Sequence, residues 1–184
     1  MIPQKDQFSL HRAGIHSTKK PQKRKCYVIT IADKFPVYHE KAGNWTEFWH
    51  KIISGTNIHT IRINADLWEK RFKAINRDEA YISLRAWSGA PYKSKQIIIK
   101  DLYKSDGIGM QTCNILTEHD VIDAMIGVDV PIMKDMTTKN WNHAAQVMAN
   151  DGLSPTDFYL WFAKSKRDTL HRCAIIHFTP FRYH

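Results

Sequence analysis

The sequence predicts an α+β fold, a small and partly closed β-barrel of about five strands with about five helices packed around it. Three observations lead to this prediction. The predicted strands are short, and the two central ones are joined as a hairpin. Helices and strands do not alternate regularly enough for a doubly wound parallel sheet, which is the second choice. The 184 residues are enough for one domain with a hydrophobic core.

A basic segment precedes the predicted domain. Residues 1–25 contain seven lysines and arginines and one acid, so they hold most of the formal net charge of +9. They contain few apolar residues and show no sustained period, which predicts a flexible tail. Two interpretations of this tail stay open. It neutralises phosphates without sequence preference, or it is a solvated terminal arm. The domain then covers residues 26–184.

The first elements of the domain are a strand and a helix. Residues 26–32 form a short apolar run rich in β-branched side chains, which predicts a strand. After a connection interrupted by Pro36, residues 45–54 predict a helix that ends at Gly55, because glycine takes the left-handed conformation without steric cost. Its apolar residues recur at helical spacing on one face: Trp45, Phe48, Trp49, Ile52 and Ile53.

The middle of the chain predicts a second helix and a hairpin. Residues 65–75 form the helix, with Leu67, Trp68, Phe72 and Ile75 facing inward. Residues 80–87 alternate between apolar and polar, which is typical of a half-buried strand. A turn and a longer loop connect this strand to the next one, at 96–102, and we expect the two to pair antiparallel.

The second half predicts a helical insertion, at about 117–166, between two strands. Residues 108–116 indicate a weaker strand, and Thr117 begins a capping pattern for a short helix that ends near Ile126. Asp151-Gly152 ends a further helix, and Ser154-Pro155 begins the last one. The continuous apolar run at 173–178 predicts a buried central strand.

The cysteines and the apolar runs indicate in which cellular compartment we expect the protein. Cys26, Cys113 and Cys173 have no motif spacing, which indicates reduced thiols in a cytoplasmic protein. No apolar run is long enough to span a membrane, and no secretory signal is recognised. We therefore expect no membrane association.

The stretch from Gly55 to Arg62, GTNIHTIR, contains the strongest candidate for a binding site. Strand-like alternation after the helix end would place Thr60 and Arg62 on one side and point His59 away from them. A cation beside a hydroxyl predicts a contact with an anion or with the edge of a base. The alternative is a surface loop with a capping threonine and a solvated arginine.

The same stretch resembles the G-x-K-x-x-T-x-R signature of the ASCH family, a branch of the PUA-like β-barrels. Gly55, Thr60 and Arg62 match the signature, and Asn57 stands where the family has lysine. The resemblance covers about residues 26–183 in the order of elements. It implies a PUA-like barrel whose central strands are 80–87 and 96–102 and whose closing strand is 173–178.

The resemblance also implies a chemistry. Some ASCH proteins are amidohydrolases that act on acylated cytidine, with a lysine that activates a threonine and a carboxylate that assists. Thr60 would be the nucleophile and Asp151 the carboxylate, in place of the family's glutamate. Asn57 departs from this arrangement, because an amide cannot take the proton of a threonine. A hydrolase of the amidohydrolase or ribonuclease type is therefore the alternative function.

Our first hypothesis is a pocket at the barrel rim that binds RNA or a modified nucleoside, with RNA preferred over DNA. An amide suits the edge of a base, and an arginine holds a phosphate or a base in bidentate fashion. Around the predicted hairpin loop, aromatic and basic residues interleave, as in surfaces that stack unpaired bases. The expected ligand-binding residues are Asn57, Thr60, Arg62, Arg85, Trp87, Tyr92, Lys93 and Lys95.

One geometric expectation joins these residues. We expect Thr60 and Arg62 to face one cleft, with Asp151 at its far wall and the 87–95 loop over its mouth, since helix ends expose unpaired polar groups. We expect no cofactor and no metal. His171, Cys173 and His177 share one face of a strand, but they lack the compact spacing of metal ligands.

Overall fold

The computed structural model describes residues 23–117, 127–128, 138–162 and 169–183. Within these ranges the chain has a mixed α+β fold with strands in two sheets. The predicted α+β class is therefore confirmed. The predicted short helix up to Ile126 and most of the basic tail lie outside the described residues. The described end of the tail already belongs to the domain, because Lys25 begins the first strand.

The first sheet has three strands. These are β1 (Lys25–Thr30), β3 (Ala80–Trp87) and β4 (Gln96–Leu102), in the order β1-β3-β4. β1 pairs parallel with β3, and β3 pairs antiparallel with β4. The predicted hairpin is confirmed. Its ladder contains an irregularity between Leu84 and Arg85.

The second sheet is antiparallel throughout. It consists of β2 (His59–Ile63), β7 (Thr169–His177), β5 (Gly109–Thr117) and the two-residue β6 (Gly127–Val128), in the order β2-β7-β5-β6. β7 lies between β2 and β5, and its residues from Cys173 to His177 are buried. The predicted buried central strand is confirmed, and β6 adds a short strand to the region expected to be helical.

Four α-helices occur in the described residues: α1 (Phe48–Ser54), α2 (Ala65–Asn76), α3 (Thr138–Asn150) and α4 (Pro155–Phe162). Their ends follow the predicted chemistry. Gly55 ends α1 with a φ of 77°. The Ser154 hydroxyl accepts a hydrogen bond from the Asp157 amide at 3.1 Å, which caps the start of α4. No helix in these ranges is long and apolar enough to cross a membrane.

The core is one continuous cluster between the sheets and helices. The apolar face of β3 is completely buried, as its alternation predicts. Burial of such aliphatic side chains is the main driving force for folding. Fully buried members include Ile75, Ile82, Leu84, Ile115, Phe158, Ile175 and Ile176.

Two details of the predicted helices are wrong. α1 begins at Phe48 and not at Trp45, because Glu47 has a left-handed φ of 60° that interrupts any earlier turn. Trp45 and Ile53 are consequently exposed, and Trp45 lies under the Lys34 ammonium group instead. Leu67 is also exposed, because α2 directs Trp68, Phe72 and Ile75 into the core.

Candidate functional site

A small cavity lies where the edges of the two sheets come together. Its lining combines the end of β1 with β2, the loop before β2, and the residues that follow α3. The enclosed space is about 50 Å³, and the space that includes the open mouth is about 430 Å³. The polar lining consists of Thr30, Asn57, Thr60, Arg62 and Asp151, and the aromatic lining of Phe48, Trp161, Phe162 and Phe178.

The turn after α1 positions Asn57. The amides of Thr56 and Asn57 both donate to the Lys51 carbonyl at 3.0 Å, which the left-handed Gly55 makes possible. The Ile58 amide then donates to the Asn150 carbonyl at 3.0 Å. These bonds fix the chain entry into β2 and bring the end of α3 beside it.

β2 positions Thr60 and Arg62. Thr60 is buried and Arg62 is half-buried, and both side chains line the cavity. The Arg62 guanidinium donates to the Thr30 carbonyl at 2.9 Å, so it connects the edge of the second sheet to the edge of the first. Burial lowers the pKa of Arg62, and the charge of Asp151 opposes this shift.

Asp151 follows α3 and forms another wall of the cavity. Its Oδ1 accepts a hydrogen bond from the Ile61 amide at 3.2 Å, and its backbone carbonyl accepts one from Asn57 Nδ2 at 2.9 Å. Burial raises the pKa of the Asp151 carboxyl, although His59, Arg62 and the Ile61 amide favour the charged form. Asp151 therefore contacts both Asn57 and β2.

Gly152 makes this arrangement sterically possible. It has a φ of +82°, and a Cβ at this position would lie 2.8 Å from Asn57 Nδ2. Only glycine combines this backbone conformation with the space that the amide needs. The Asp151-Gly152 pair, recognised in the sequence as a helix end, thus also admits the Asn57 side chain.

Asn57 has one unsatisfied atom. Its side chain is buried, its Nδ2 is engaged by the Asp151 carbonyl, and its Oδ1 has no hydrogen-bond partner within the described residues. A buried acceptor without a partner costs free energy, because its hydration is lost and nothing replaces it. Asn57 is among the residues that line the cavity, although Oδ1 itself is closed to solvent.

A second layer of polar residues lies behind the cavity, and the sequence did not indicate it. The His59 ring is fully buried, with Nδ1 3.6 Å from Asp151 Oδ1 and Nε2 2.8 Å from the Tyr183 hydroxyl. Asn150 Nδ2 donates to the same hydroxyl at 2.7 Å. The alternation that directs His59 away from the cavity was predicted, but its contacts with a residue from the end of the chain carry no sequence signal.

His177 packs against this layer. Its ring lies 5.6 Å from that of His59, and neither of its nitrogens has a partner within the described residues. Burial lowers the pKa of His177 to about 3, with smaller contributions from His59 and Arg182. Burial also raises the pKa of Tyr183 to about 12. Both side chains are therefore neutral at pH 7.

The five residues predicted around the β3–β4 loop are not in the cavity lining. Arg85 and Trp87 alternate with the buried Leu84 and Ala86, so they lie on the opposite face of the first sheet. On that face the Arg85 guanidinium is 3.0 Å from the Ser83 hydroxyl and 3.7 Å from the Cys26 sulfur. None of these five side chains therefore lines the cavity, and their role in ligand binding stays a prediction.

The loop itself is a separate exposed surface. Trp87 contacts Tyr92 with ring centroids 5.3 Å apart, and Tyr92 is 90% exposed with a positive φ of 62°. Lys93 and Lys95 are also exposed. Its connection to the cavity is indirect, through a 3.4 Å contact between Gln96 Nε2 and the Thr30 hydroxyl.

Among the described residues, no group of three or more histidine, cysteine, aspartate or glutamate side chains could hold a metal ion. Comparison with models of known protein families, with curated proteins and with solved structures gives no match.

Proposed function

We propose that the protein binds RNA or a modified nucleoside, and that one base enters the cavity between the two sheets. The observation that carries this proposal is the lining of the cavity, in which the polar residues Asn57, Thr60 and Asp151 lie beside aromatic side chains. A nucleobase edge supplies planar donors and acceptors at hydrogen-bond distance. A hydrocarbon ligand would leave Asn57, Thr60 and Asp151 unsatisfied.

The aromatic lining supports a planar ligand. Phe48 and Trp161 meet edge to face with centroids 5.6 Å apart, and both border the cavity. The cavity is small, about 50 Å³, so we expect only part of a base to enter it. Unpaired bases in single-stranded RNA are recognised by such a combination of stacking and edge contacts.

We also infer that the fold is an ASCH-type PUA-like barrel. This barrel is partly open, because its wall consists of two separate sheets. The order of elements supports this, since the T-x-R strand β2 precedes the hairpin β3–β4 and the closing strand β7 follows the helices. The Arg62–Thr30 hydrogen bond joins the two sheets at the cavity. The three free cysteines support a reducing compartment, the cytoplasm.

The hydrolase alternative has support from one observation. Thr60 and Asp151, the residues that the resemblance assigns to nucleophile and carboxylate, line the same cavity. Asp151 has a raised pKa, which favours a group that takes up a proton. Asn57 in place of lysine opposes this function, because it leaves Thr60 without the expected base.

The test is a calorimetric titration of wild type and Arg62→Ala with short single-stranded RNAs and with nucleoside monophosphates. We expect wild type to bind, and Arg62→Ala to lose about 1.5–3 kcal/mol, the range for hydrogen bonds to charged groups. Arg77→Ala is the matched control, since Arg77 is exposed and pairs with Glu79 away from the cavity. Equal affinity of all three proteins would contradict the proposed site.

A further inference from the structure

We propose that Cys113 and Cys173 are a redox-sensitive modification site, at which a peroxide converts two thiols into a reversible disulfide across the second sheet. This inference does not depend on the proposed function, because neither cysteine lines the cavity. It follows from the position of the two residues in the strand ladder and from the contact between their thiols.

The strand register brings the two cysteines together. β5 and β7 pair antiparallel, with Cys113 directly opposite Cys173. Directly opposite residues of an antiparallel pair have Cα atoms about 4.5–5.5 Å apart and side chains on the same face of the sheet. A disulfide accepts Cα atoms about 4.4–6.8 Å apart. The sheet therefore holds the two residues at a separation that permits a disulfide, although they lie far apart in the sequence.

The two residues are free thiols in contact with each other, and both are buried. A hydrogen bond with Cys113 lowers the pKa of Cys173, and burial opposes this shift. The thiolate is the form that reacts with peroxides, so the hydrogen bond favours Cys173 as the sulfur that is oxidised first. Cys113 is then the thiol that resolves the oxidised sulfur.

A small oxidant has access where the neighbouring strands end. Ile63 is the last residue of β2 and pairs with Cys173, so β7 before Cys173 has no partner on that side within the described residues. On the other side of the pair, β6 contacts β5 only at Cys113 and Asn114. Ile63 itself is 55% exposed. Strand ends open locally at a lower cost than global unfolding, which admits a molecule as small as hydrogen peroxide.

The reaction needs only the peroxide. The Cys173 thiolate attacks one oxygen and breaks the O–O bond, which gives a sulfenic acid and hydroxide, and the hydroxide takes up the proton that the Cys173 thiol released. The Cys113 sulfur then attacks the Cys173 sulfur, the S–S bond forms, and the sulfenic oxygen leaves as water with the Cys113 proton. Overall, the two sulfurs lose two electrons, the peroxide gains them, and two waters result. A small dithiol reverses the oxidation by thiol–disulfide exchange.

Cys26 provides the comparison within the same chain. It lies on β1 in the first sheet, is half-buried, and has Tyr81 opposite it in the ladder. The other two cysteines belong to the second sheet. The register therefore gives Cys26 no thiol partner in its own sheet, and we expect no disulfide within the chain to include it. A disulfide that forms only under oxidation also agrees with a reducing compartment, where such bonds are transient.

The first experiment counts thiols in the folded protein before and after exposure to hydrogen peroxide, by maleimide labelling after denaturation. The protein is Cys26→Ser, which leaves only the two thiols of the pair and prevents disulfides through Cys26. We expect both thiols to be lost together and recovered with dithiothreitol, and peptide mapping should find residues 113 and 173 linked in the monomer. Retention of both thiols, a loss that dithiothreitol does not reverse, or links between molecules would overturn the inference.

The second experiment removes the resolving thiol by adding Cys113→Ser to the Cys26→Ser protein. Oxidation should then stop at a sulfenic acid on Cys173, which dimedone traps as an adduct. In Cys26→Ser alone, we expect the adduct to be almost absent, because Cys113 consumes the sulfenic acid first. Equal adduct in the two proteins would overturn the assignment of Cys113. If the double variant does not fold, the thiol count and the peptide map of Cys26→Ser decide.

Discussion

The cavity and the β3–β4 loop both combine aromatic side chains with polar or charged ones, but the two regions differ in burial and in order. In the cavity, Asn57 and Asp151 are buried and connected by hydrogen bonds between segments far apart in the chain. In the loop, Tyr92 is 90% exposed and contacts Trp87. The cavity is thus organised before any ligand binds, whereas the loop would lose conformational freedom on binding. We expect the cavity to determine which base is bound and the loop to add little more than general affinity.

We expect the largest effect when the cavity receives the lysine that the resemblance implies. Asn57→Lys places an amine beside Thr60 and Asp151, where a general base typically contributes ~10² to 10⁴ in rate. We expect amidohydrolase activity on acylated cytidine to appear or to rise by this factor. The measurement is product release with wild type and with Asn44→Lys, an exposed control.

If wild type already hydrolyses such substrates and Asn57→Lys changes nothing, Asn57 is not the disabling substitution. Another residue of the cavity would then act as the general base, and the hydrolase alternative would be favoured over binding alone.

The second prediction compares the two regions directly. Arg62→Ala should weaken RNA binding by about 1.5–3 kcal/mol, because it removes hydrogen bonds to a charged group. Tyr92→Ala should cost less than the ~1 kcal/mol lower limit for stacking of a base on an ordered aromatic ring. Titration of both variants with the same RNA measures the difference. A larger loss of RNA affinity for Tyr92→Ala than for Arg62→Ala would show that the loop contributes more to binding than the cavity.

Arg62→Ala also has a structural consequence. The guanidinium donates to the Thr30 carbonyl, so its removal should lower the melting temperature by the equivalent of about 1 kcal/mol. Binding losses should therefore be measured well below the melting transition.

The third prediction tests how closely the cavity is packed. Gly152→Ala introduces a Cβ 2.8 Å from Asn57 Nδ2 and strains a φ of +82°. Gly43 has a φ of +80° but open space around it, so Gly43→Ala measures the backbone strain alone, about 1–2 kcal/mol. We expect Gly152→Ala to destabilise more than Gly43→Ala and to weaken ligand binding. Equal destabilisation would show that Asn57 moves freely.

The fourth prediction concerns pH. The pKa of His177 is lowered to about 3 in the folded state, below its usual value near 6.5, so the unfolded chain binds a proton first as the pH falls. The stability contributed by neutral His177 is complete above pH 6.5 and is lost towards pH 3, by up to about 1.4 kcal/mol per pH unit. Denaturant unfolding of His177→Leu should show a weaker loss between pH 7 and 5 than wild type. His50→Leu, on the exposed side of α1, should behave like wild type.

The smallest effect is expected outside the cavity. Deletion of residues 1–22 should weaken binding equally for all RNA sequences, and so should Lys93→Ala. For single strands, each lost phosphate contact should reduce the slope of log affinity against log salt by roughly 0.7. The test is a salt series at constant temperature. An unchanged slope after deletion would show that the tail is only a solvated arm.

Local patterns in the sequence predicted most of the elements. Alternation identified β3, glycine identified the end of α1, and Ser154-Pro155 identified the start of α4. Two helix ends led us to expect Thr60, Arg62 and Asp151 near one another, and the structure places all three around one cavity. These features depend on residues that are close together in the sequence, so the sequence alone can predict them.

The remainder depends on contacts between distant segments. Helical spacing suggested that Trp45 and Leu67 face the core, but only the actual packing decides which side of an apolar stripe is covered. The hydrogen bond between His59 and Tyr183 and the aromatic wall of Trp161 likewise have no local signal. The place of the 87–95 loop relative to the cavity also has no local signal, since alternation cannot say which sheet face borders a cleft.

The place of β7 in the second sheet has a consequence for the order of events during synthesis. β2 carries Thr60 and Arg62, and its strand partner is β7, on the order of a hundred residues later in the chain. While the ribosome is still adding the segments between them, β2 has an unpaired edge and its apolar residues remain exposed. The cavity therefore forms only after β7 has left the exit tunnel, and a nascent chain stalled before that point would hold an unpaired apolar strand for chaperones to shield.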